Sequence, residues 1–341
     1  MSSYGRVMAV LKGGGDFDFT PCVNFSSTCT REFMELTGAW WPEAHRDPVR
    51  MARLGAAAHR FCGLDNVTVP FDTLVEAEAF GVQVDFHERG VLAWPIARRP
   101  LLRRVVPPIP PGDVARSGRV RVVAEAVRLL KEEFEGVAPV NVIVVPPFTS
   151  MSYYVFDHAS FMSTLERDPG AVKEVLDEVV EVYAEIVDVY VEAGADVVTL
   201  YEMGGSASTL PPLLFDELVK PYIEKIAERA KLSVLSVPGD ALPVIDRAAR
   251  CGVNGVAIDQ NTPISGARKI IDHAKPGLPL IGNLDPTEVI CDGPEEKIRS
   301  AVKKAIDEGV SMVAPGSDFH LETPTKHIKT MVEAARTHTK K

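Results

Sequence analysis

Eight short apolar runs in this sequence each end in side chains able to do chemistry. The first delivers Asn24, Ser26 and Ser27, and the second Asp72, in Pro70-Phe71-Asp72-Thr73. The third ends in Pro146-Pro147-Phe148-Thr149-Ser150. The fourth ends in Glu202, just after Tyr201 and just before Met203-Gly204-Gly205-Ser206. The fifth gives Ser236, Pro238 and Asp240; the sixth Asp259, Gln260 and Asn261; the seventh Asn283 and Asp285; the eighth Ser317, Asp318 and His320. Carboxylates so placed can carry protons for a reacting group. Glu202, Asp72 and Asp240 are the candidate catalytic residues. Asn24, Asp259, Asn283, Ser236, Ser317, Asp318 and His320 are the candidate substrate-binding residues. Each also has a plain reading: Asp240 and Asp285 each precede a helix and could cap it, and Asp72 could close a turn. The ring of polar ends is better evidence than any one member.

Other constellations are missing. There is no Walker loop, no GxGxxG, no GxSxG, and neither His-x-Cys nor Cys-x-x-Cys, so a standard zinc site has no support. Gly13-Gly14-Gly15 follows a helix rather than a strand. His59 and Cys62, close to a helix end before Gly63, read as core packing, and His45 reads as a loop residue.

The elements that must position these residues alternate in type. The expected strands are Thr20–Phe25, Asn66–Pro70, Asn141–Val145, Asp196–Tyr201, Leu232–Val237, Val253–Ile258, Leu278–Gly282 and Val310–Ala314. They are continuous apolar runs, as parallel strands buried on both faces require. The clearest helix is Ala171–Glu192, where Val172, Leu176, Val179, Tyr183, Ile186 and Tyr190 recur at helical spacing. Gly194 supplies its stop. Leu213–Arg229, Ala241–Arg250, Ala267–Ala274, Pro294–Glu308 and Pro324–Arg336 repeat the pattern. The reading is an α/β protein, a (β/α)8 barrel in one domain spanning 1–341, with chemistry at the C-terminal strand ends. A doubly wound open sheet is the alternative. The proline-rich stretch Phe86–Gly118 is an insertion after the second strand, a loop or small hairpin at the barrel rim.

The chain has 341 residues, with Lys plus Arg 37 against Asp plus Glu 47 and a net charge of −10. A chain this long buries a large core without disulfides. The acidic balance argues against nucleic acid, which needs clustered Lys and Arg. The basic stretch Arg98, Arg99, Arg103 and Arg104 reads as a solvated loop. Five scattered cysteines, with neither a signal peptide nor a run of roughly 20 apolar residues, point to the cytoplasm and away from a membrane.

Three segments resemble the family that holds uroporphyrinogen decarboxylase and the methylcobamide:coenzyme M methyltransferases. They are Arg6 to Gly13 with Thr20-Pro21, Val69 to Gly81, and Leu280 to Pro286 with Ala314 to Phe319. Thr37-Gly38 and Pro42-Glu43-Ala44-His45 are similar to the methyltransferase branch. The resemblance runs from about residue 4 to 337 and implies the same barrel. The decarboxylases carry arginines after the first strand; here Asn24 to Thr30 holds no cation, so uroporphyrinogen decarboxylation is not expected. Asp72 matches a residue that both branches share.

The methyltransferase resemblance implies a methylated corrinoid (methylcobamide) carried by a partner protein. It also implies zinc, held by a His-x-Cys and a later Cys, that activates a thiol. Ser236, Pro238 and Ser317 stand at those positions, and serine and proline are poor zinc ligands. The leading expectation is therefore methyl transfer between a corrinoid-binding protein and a non-thiol small molecule. A tetrahydropterin of the tetrahydrofolate or tetrahydromethanopterin type is the favoured acceptor, held by Asn283, Asp259 and Glu202. A donor-side enzyme demethylating a methoxyaromatic or methylamine is the second expectation, and a non-catalytic corrinoid-protein partner the third.

Overall fold

The computed structural model describes residues 1–14, 17–87, 92–98, 102, 104–106, 108, 113 and 117–338. Arg99 and Arg103 of the basic stretch, Gly15, and several residues of the proline-rich insertion lie outside them.

Seven parallel strands form one curled sheet: β1 (Val67–Val69), β4 (Val140–Val144), β5 (Val197–Tyr201), β6 (Ser233–Val237), β7 (Gly255–Ile258), β8 (Leu280–Leu284) and β9 (Met312–Pro315), paired in that order. Nearly every strand residue is buried, which explains the unbroken apolar runs. β2 (Val84–Asp85), just before the expected insertion, and β3 (Ile96–Ala97), within it, pair antiparallel as a small ribbon.

The first expected strand, Thr20–Phe25, closes the barrel between β9 and β1. On one side it pairs through backbone: Cys22 bridges Val313, and the Val23 and Val313 amides bond to Val313 O and Pro21 O, each at 2.9 Å. On the other side side chains do most of the joining. Asn66 Oδ1 accepts from Asn24 N at 2.9 Å, and Asn66 Nδ2 donates to Asn24 O at 2.7 Å. The Thr68 hydroxyl donates to the same carbonyl at 2.9 Å. An asparagine carboxamide has one donor face and one acceptor face, so it stands in for a missing strand-to-strand peptide pair. The segment therefore joins the sheet through one backbone bridge and a set of side chains rather than through two full ladders.

The long helix runs Pro169–Ala193, with Asp168 capping Ala171 N and Gly194 in the left-handed region at φ 112°. The expected helix 213–229 is broken into Pro212–Leu214, Phe215–Leu218 and Lys220–Ala227. The helix Gly118–Phe134 was not among the sequence expectations. Its first turn carries Arg119, and that residue reaches the barrel mouth. No helix among the described residues is long and apolar enough to cross a membrane.

Candidate active site

The C-terminal strand ends open into a cavity of about 230 Å³. Two carboxylates face it, Asp72 and Asp318, with the hydroxyl residues Ser26 and Thr73. Phe71, Trp94 and Tyr201 supply aromatic wall, and Ile143 and Met203 aliphatic wall. Among the described residues, no Lys, Arg or His lines it.

The two carboxylates are held in different ways. Arg119 Nη1 donates to Asp72 Oδ2 at 2.6 Å and Nη2 to Oδ1 at 3.0 Å. His45 Nδ1 lies 2.9 Å from Oδ2, and Leu74 N donates to Oδ1 at 3.0 Å. Burial pushes the Asp72 pKa up, but Arg119 and His45 outweigh it and hold the group well below the usual carboxylate range. Asp318 has no such cation. It accepts from Ser27 N at 2.7 Å, with the Ser26 hydroxyl beside it. Burial, helped by the charge of Asp72, pushes Asp318 up to about 6.

The turn after the first barrel segment aims that donor. Asn24 Oδ1 accepts from Ser26 N at 2.9 Å and Ser26 Oγ at 2.8 Å, and Asn24 Nδ2 donates to Ser27 O at 3.0 Å. Asn24 thus shapes the site and does not line it.

Glu202 is fully buried, but not at the cavity. Tyr201 faces the cavity, so alternation turns Glu202 to the other side of the strand. There it accepts from the Thr149 hydroxyl and packs under Gly205. Burial pushes it up to about 8, against the opposing pull of Thr149 and nearby backbone amides. Asp259 is occupied by Gly239 N at 2.6 Å and by Asn261 N and Nδ2, each at 2.9 Å. Asn283 Nδ2 donates to Asp259 O at 3.0 Å and Thr262 O at 2.8 Å. These two tie the loops after β6, β7 and β8 together. Asp240 is exposed, and His320 is exposed with Nδ1 3.6 Å from Cys291 Sγ. Ser236 is buried and Ser317 half-buried, and neither is among the cavity walls. Asp285 caps its helix, accepting from Thr287 N and Glu288 N at 2.8 and 2.7 Å.

Sequence reasoning missed four members of the site. His45, read as a loop residue, is buried against Asp72 and lies tilted against Trp41 with ring centroids 4.5 Å apart. Arg119 carried no pattern signal at all. Tyr201 was legible as the last strand residue, because one of Tyr201 and Glu202 must point inward. Trp94 arrives from the insertion, edge-on to Trp41 at 5.0 Å, with its carbonyl 2.8 Å from His87 Nε2.

The family model for uroporphyrinogen decarboxylase (URO-D) matches residues 3–338. The chain belongs to the URO-D family. Among solved structures, a methyltransferase from Methanosarcina mazei superposes with a TM-score of 0.91 at 27% identity, covering 99% of this chain and 98% of that one. The methylcobamide:CoM methyltransferase MtbA of Methanosarcina acetivorans is 30% identical over 329 residues, 94% of this chain and 93% of its own. The methylcobamide:CoM methyltransferase MtaA of Methanosarcina barkeri is 26% identical over 332 residues, 96% of each chain. The chain is a methyltransferase of the URO-D family.

The zinc that the methyltransferase resemblance implies does not fit the residues at its positions. Ser236 and Ser317 offer neutral hydroxyls and Pro238 offers no side-chain donor. Among the described residues no three His, Cys, Asp or Glu side chains group to hold an ion. All five cysteines are buried, and burial raises the thiols of Cys22, Cys29, Cys62, Cys251 and Cys291.

Proposed function

We propose that this URO-D methyltransferase moves a methyl group between a corrinoid-binding protein and a non-thiol small molecule, with a tetrahydropterin as acceptor. One observation carries the reading: the cavity presents two carboxylates and three aromatic rings, with no lining cation among the described residues. A thiol bearing a sulfonate would meet no counter-charge there, and nothing at Ser236, Pro238 and Ser317 would draw the proton off its sulfur. A tetrahydropterin needs neither. Its N5 is already nucleophilic, its flat ring can lie on Phe71 or Trp94, and its amino and ring N–H groups suit a carboxylate. Asp318 takes the part first expected of Glu202, Asp259 and Asn283, because those three are occupied or turned away.

The chain's work is to hold the nitrogen in line with the incoming methyl, which converts an encounter into a unimolecular step. In that transfer the N5 lone pair would take the methyl, N5 would release its proton to solvent, and the cobalt–carbon electron pair would stay with the corrinoid. The test is anaerobic incubation of the zinc-analysed protein with methylcobalamin and either tetrahydrofolate or coenzyme M, following cobalt(I) absorbance. Turnover with tetrahydrofolate alone supports the reading, and rapid coenzyme M methylation overturns it.

A donor-side demethylase is the second reading. Its support is Asp318, which holds a proton up to about pH 6 and could give it to a departing ether oxygen. A methoxyaromatic substrate with a cobalt(I) corrinoid protein tests that direction.

A further inference from the structure

We infer that Asp318 reads the substrate and selects a buried head group that is uncharged or cationic and presents paired N–H donors. This rests on the small-molecule cavity proposed above.

The argument is one of acceptor capacity. A carboxylate has about four lone-pair positions. At Asp72 three are taken, by Arg119 twice and by Leu74 N, at 2.6 to 3.0 Å, and His45 Nδ1 crowds Oδ2 from 2.9 Å. Asp72 faces the cavity but has at most one position left to offer a ligand. Asp318 is met by Ser27 N at 2.7 Å and by the Ser26 hydroxyl, both from the chain segment that follows the barrel seam. The Ser26 hydroxyl has one proton, and it already donates to Asn24 Oδ1 at 2.8 Å. At least two lone-pair positions of Asp318 therefore stay open.

The remaining groups around Asp318 do not compete. Tyr201, Tyr154 and Cys29 feel the charge of Asp318, and burial keeps all three neutral, with Tyr154 pushed up to about 12. Asp72 is charged but compensated by Arg119. An anionic head group would face Asp318 with no lining cation among the described residues and would be rejected. A head group with two parallel N–H donors, as in an amidine, guanidine or aminopyrimidinone, matches a carboxylate edge.

The test is calorimetric binding to the wild type, Asp318→Asn, Asp318→Ser and Asp318→Glu, each checked for folding by thermal melt. The probes are a tail-less tetrahydropterin, methylguanidine and coenzyme M. Expected is binding of the tetrahydropterin and methylguanidine but not coenzyme M. Asp318→Asn and Asp318→Ser should weaken binding roughly 10- to 100-fold, the loss of a charge-assisted bond, with partial recovery in Asp318→Glu. Wild-type affinity in both weakened variants overturns the inference, as does equal binding of coenzyme M. If methylguanidine binds through Asp318 but the tetrahydropterin does not, the acceptor assignment fails and the role of Asp318 stands. If neither binds, both fall.

Discussion

Arg119 clasps Asp72 from behind the cavity wall with two parallel bonds, Nη1 to Oδ2 at 2.6 Å and Nη2 to Oδ1 at 3.0 Å. Both side chains are almost wholly buried. The guanidinium also pairs with Glu78 and lies over the Phe86 ring, 4.7 Å from its centroid. It therefore joins the second barrel strand's loop to the start of the insertion.

Removing that cation leaves Asp72 charged in a dry wall. Arg119→Met should lower stability by about 3–5 kcal/mol, the usual result of breaking a buried pair from one side. The Asp72 pKa is depressed in the fold, so its contribution is present above the unfolded value and lost as pH falls through the folded one. Urea denaturation of wild type and variant at neutral pH checks this, and a difference under 1 kcal/mol would contradict it.

Asp318 must be ionised to accept two N–H donors. With its pKa at about 6, tetrahydropterin affinity should be constant above neutrality and weaken as pH falls through that value. Calorimetry from pH 5 to 8 reads it directly. The same titration on Asp318→Asn should be flat, and a matching slope in both would assign the pH dependence elsewhere.

Glu202 behaves in the opposite sense. Its folded pKa of about 8 lies above the reference 4.5, so its contribution to stability is greatest below about 4.5 and declines as pH rises toward 8. Glu202→Gln should flatten part of that decline and reduce turnover less than Asp318→Asn does. Denaturation midpoints at pH 5 and pH 8 separate the outcomes. A turnover loss exceeding that of Asp318→Asn would return Glu202 to the chemistry.

Gly316 comes just before Ser317 and Asp318, where the chain passes close to Gln260. A Cβ there would strike Gln260 Oε1 and come within 2.9 Å of its backbone nitrogen. Gly316→Ala should cost about 1–3 kcal/mol through overpacking and weaken tetrahydropterin binding by displacing Asp318. Wild-type melting and binding together would show that the loop absorbs a methyl group freely.

The absent zinc donors can be supplied. Ser236→His, Pro238→Cys and Ser317→Cys together place the family's ligand types at the resembling positions. The triple variant is expected to retain stoichiometric zinc on metal analysis and to gain coenzyme M methylation that the parent lacks. No zinc uptake in a folded variant would mean that these strand ends do not converge as the resemblance implies.

Much of the fold was legible because parallel strands buried on both faces read as uninterrupted apolar runs. The seven laddered strands all fall within or beside the expected ranges. The first segment was also expected as a strand, although half of its pairing is made by Asn66 and Thr68 side chains. The site was less legible. Strand-end position pointed to Asp72 and Asp318 as cavity-facing, but period-two alternation decides which end residue points inward, and Glu202 sits one position past Tyr201. Asn24, Asp259 and Asn283 bond within their own loops, a role that residue type cannot separate from ligand binding. Arg119 and His45 come from elements distant in sequence, and neither belongs to a periodic pattern.

The side-chain seam at Asn24 and Asn66 gives the barrel one joint unlike the others. Backbone ladders release only when neighbouring strands part, whereas the three bonds to Asn24 here come from the Asn66 and Thr68 side chains, beside a backbone bond from Asp65 N to Cys22 O at 2.7 Å. Ser27, whose backbone amide donates to Asp318, and Ser26 beside it follow that joint within three residues. Slow hydrogen exchange is therefore expected across β5 and β6 and faster exchange at Asn24 and Ser27. Asp318 therefore takes its backbone donor from the stretch of barrel that side chains hold, while the neighbouring strands rest on continuous backbone ladders.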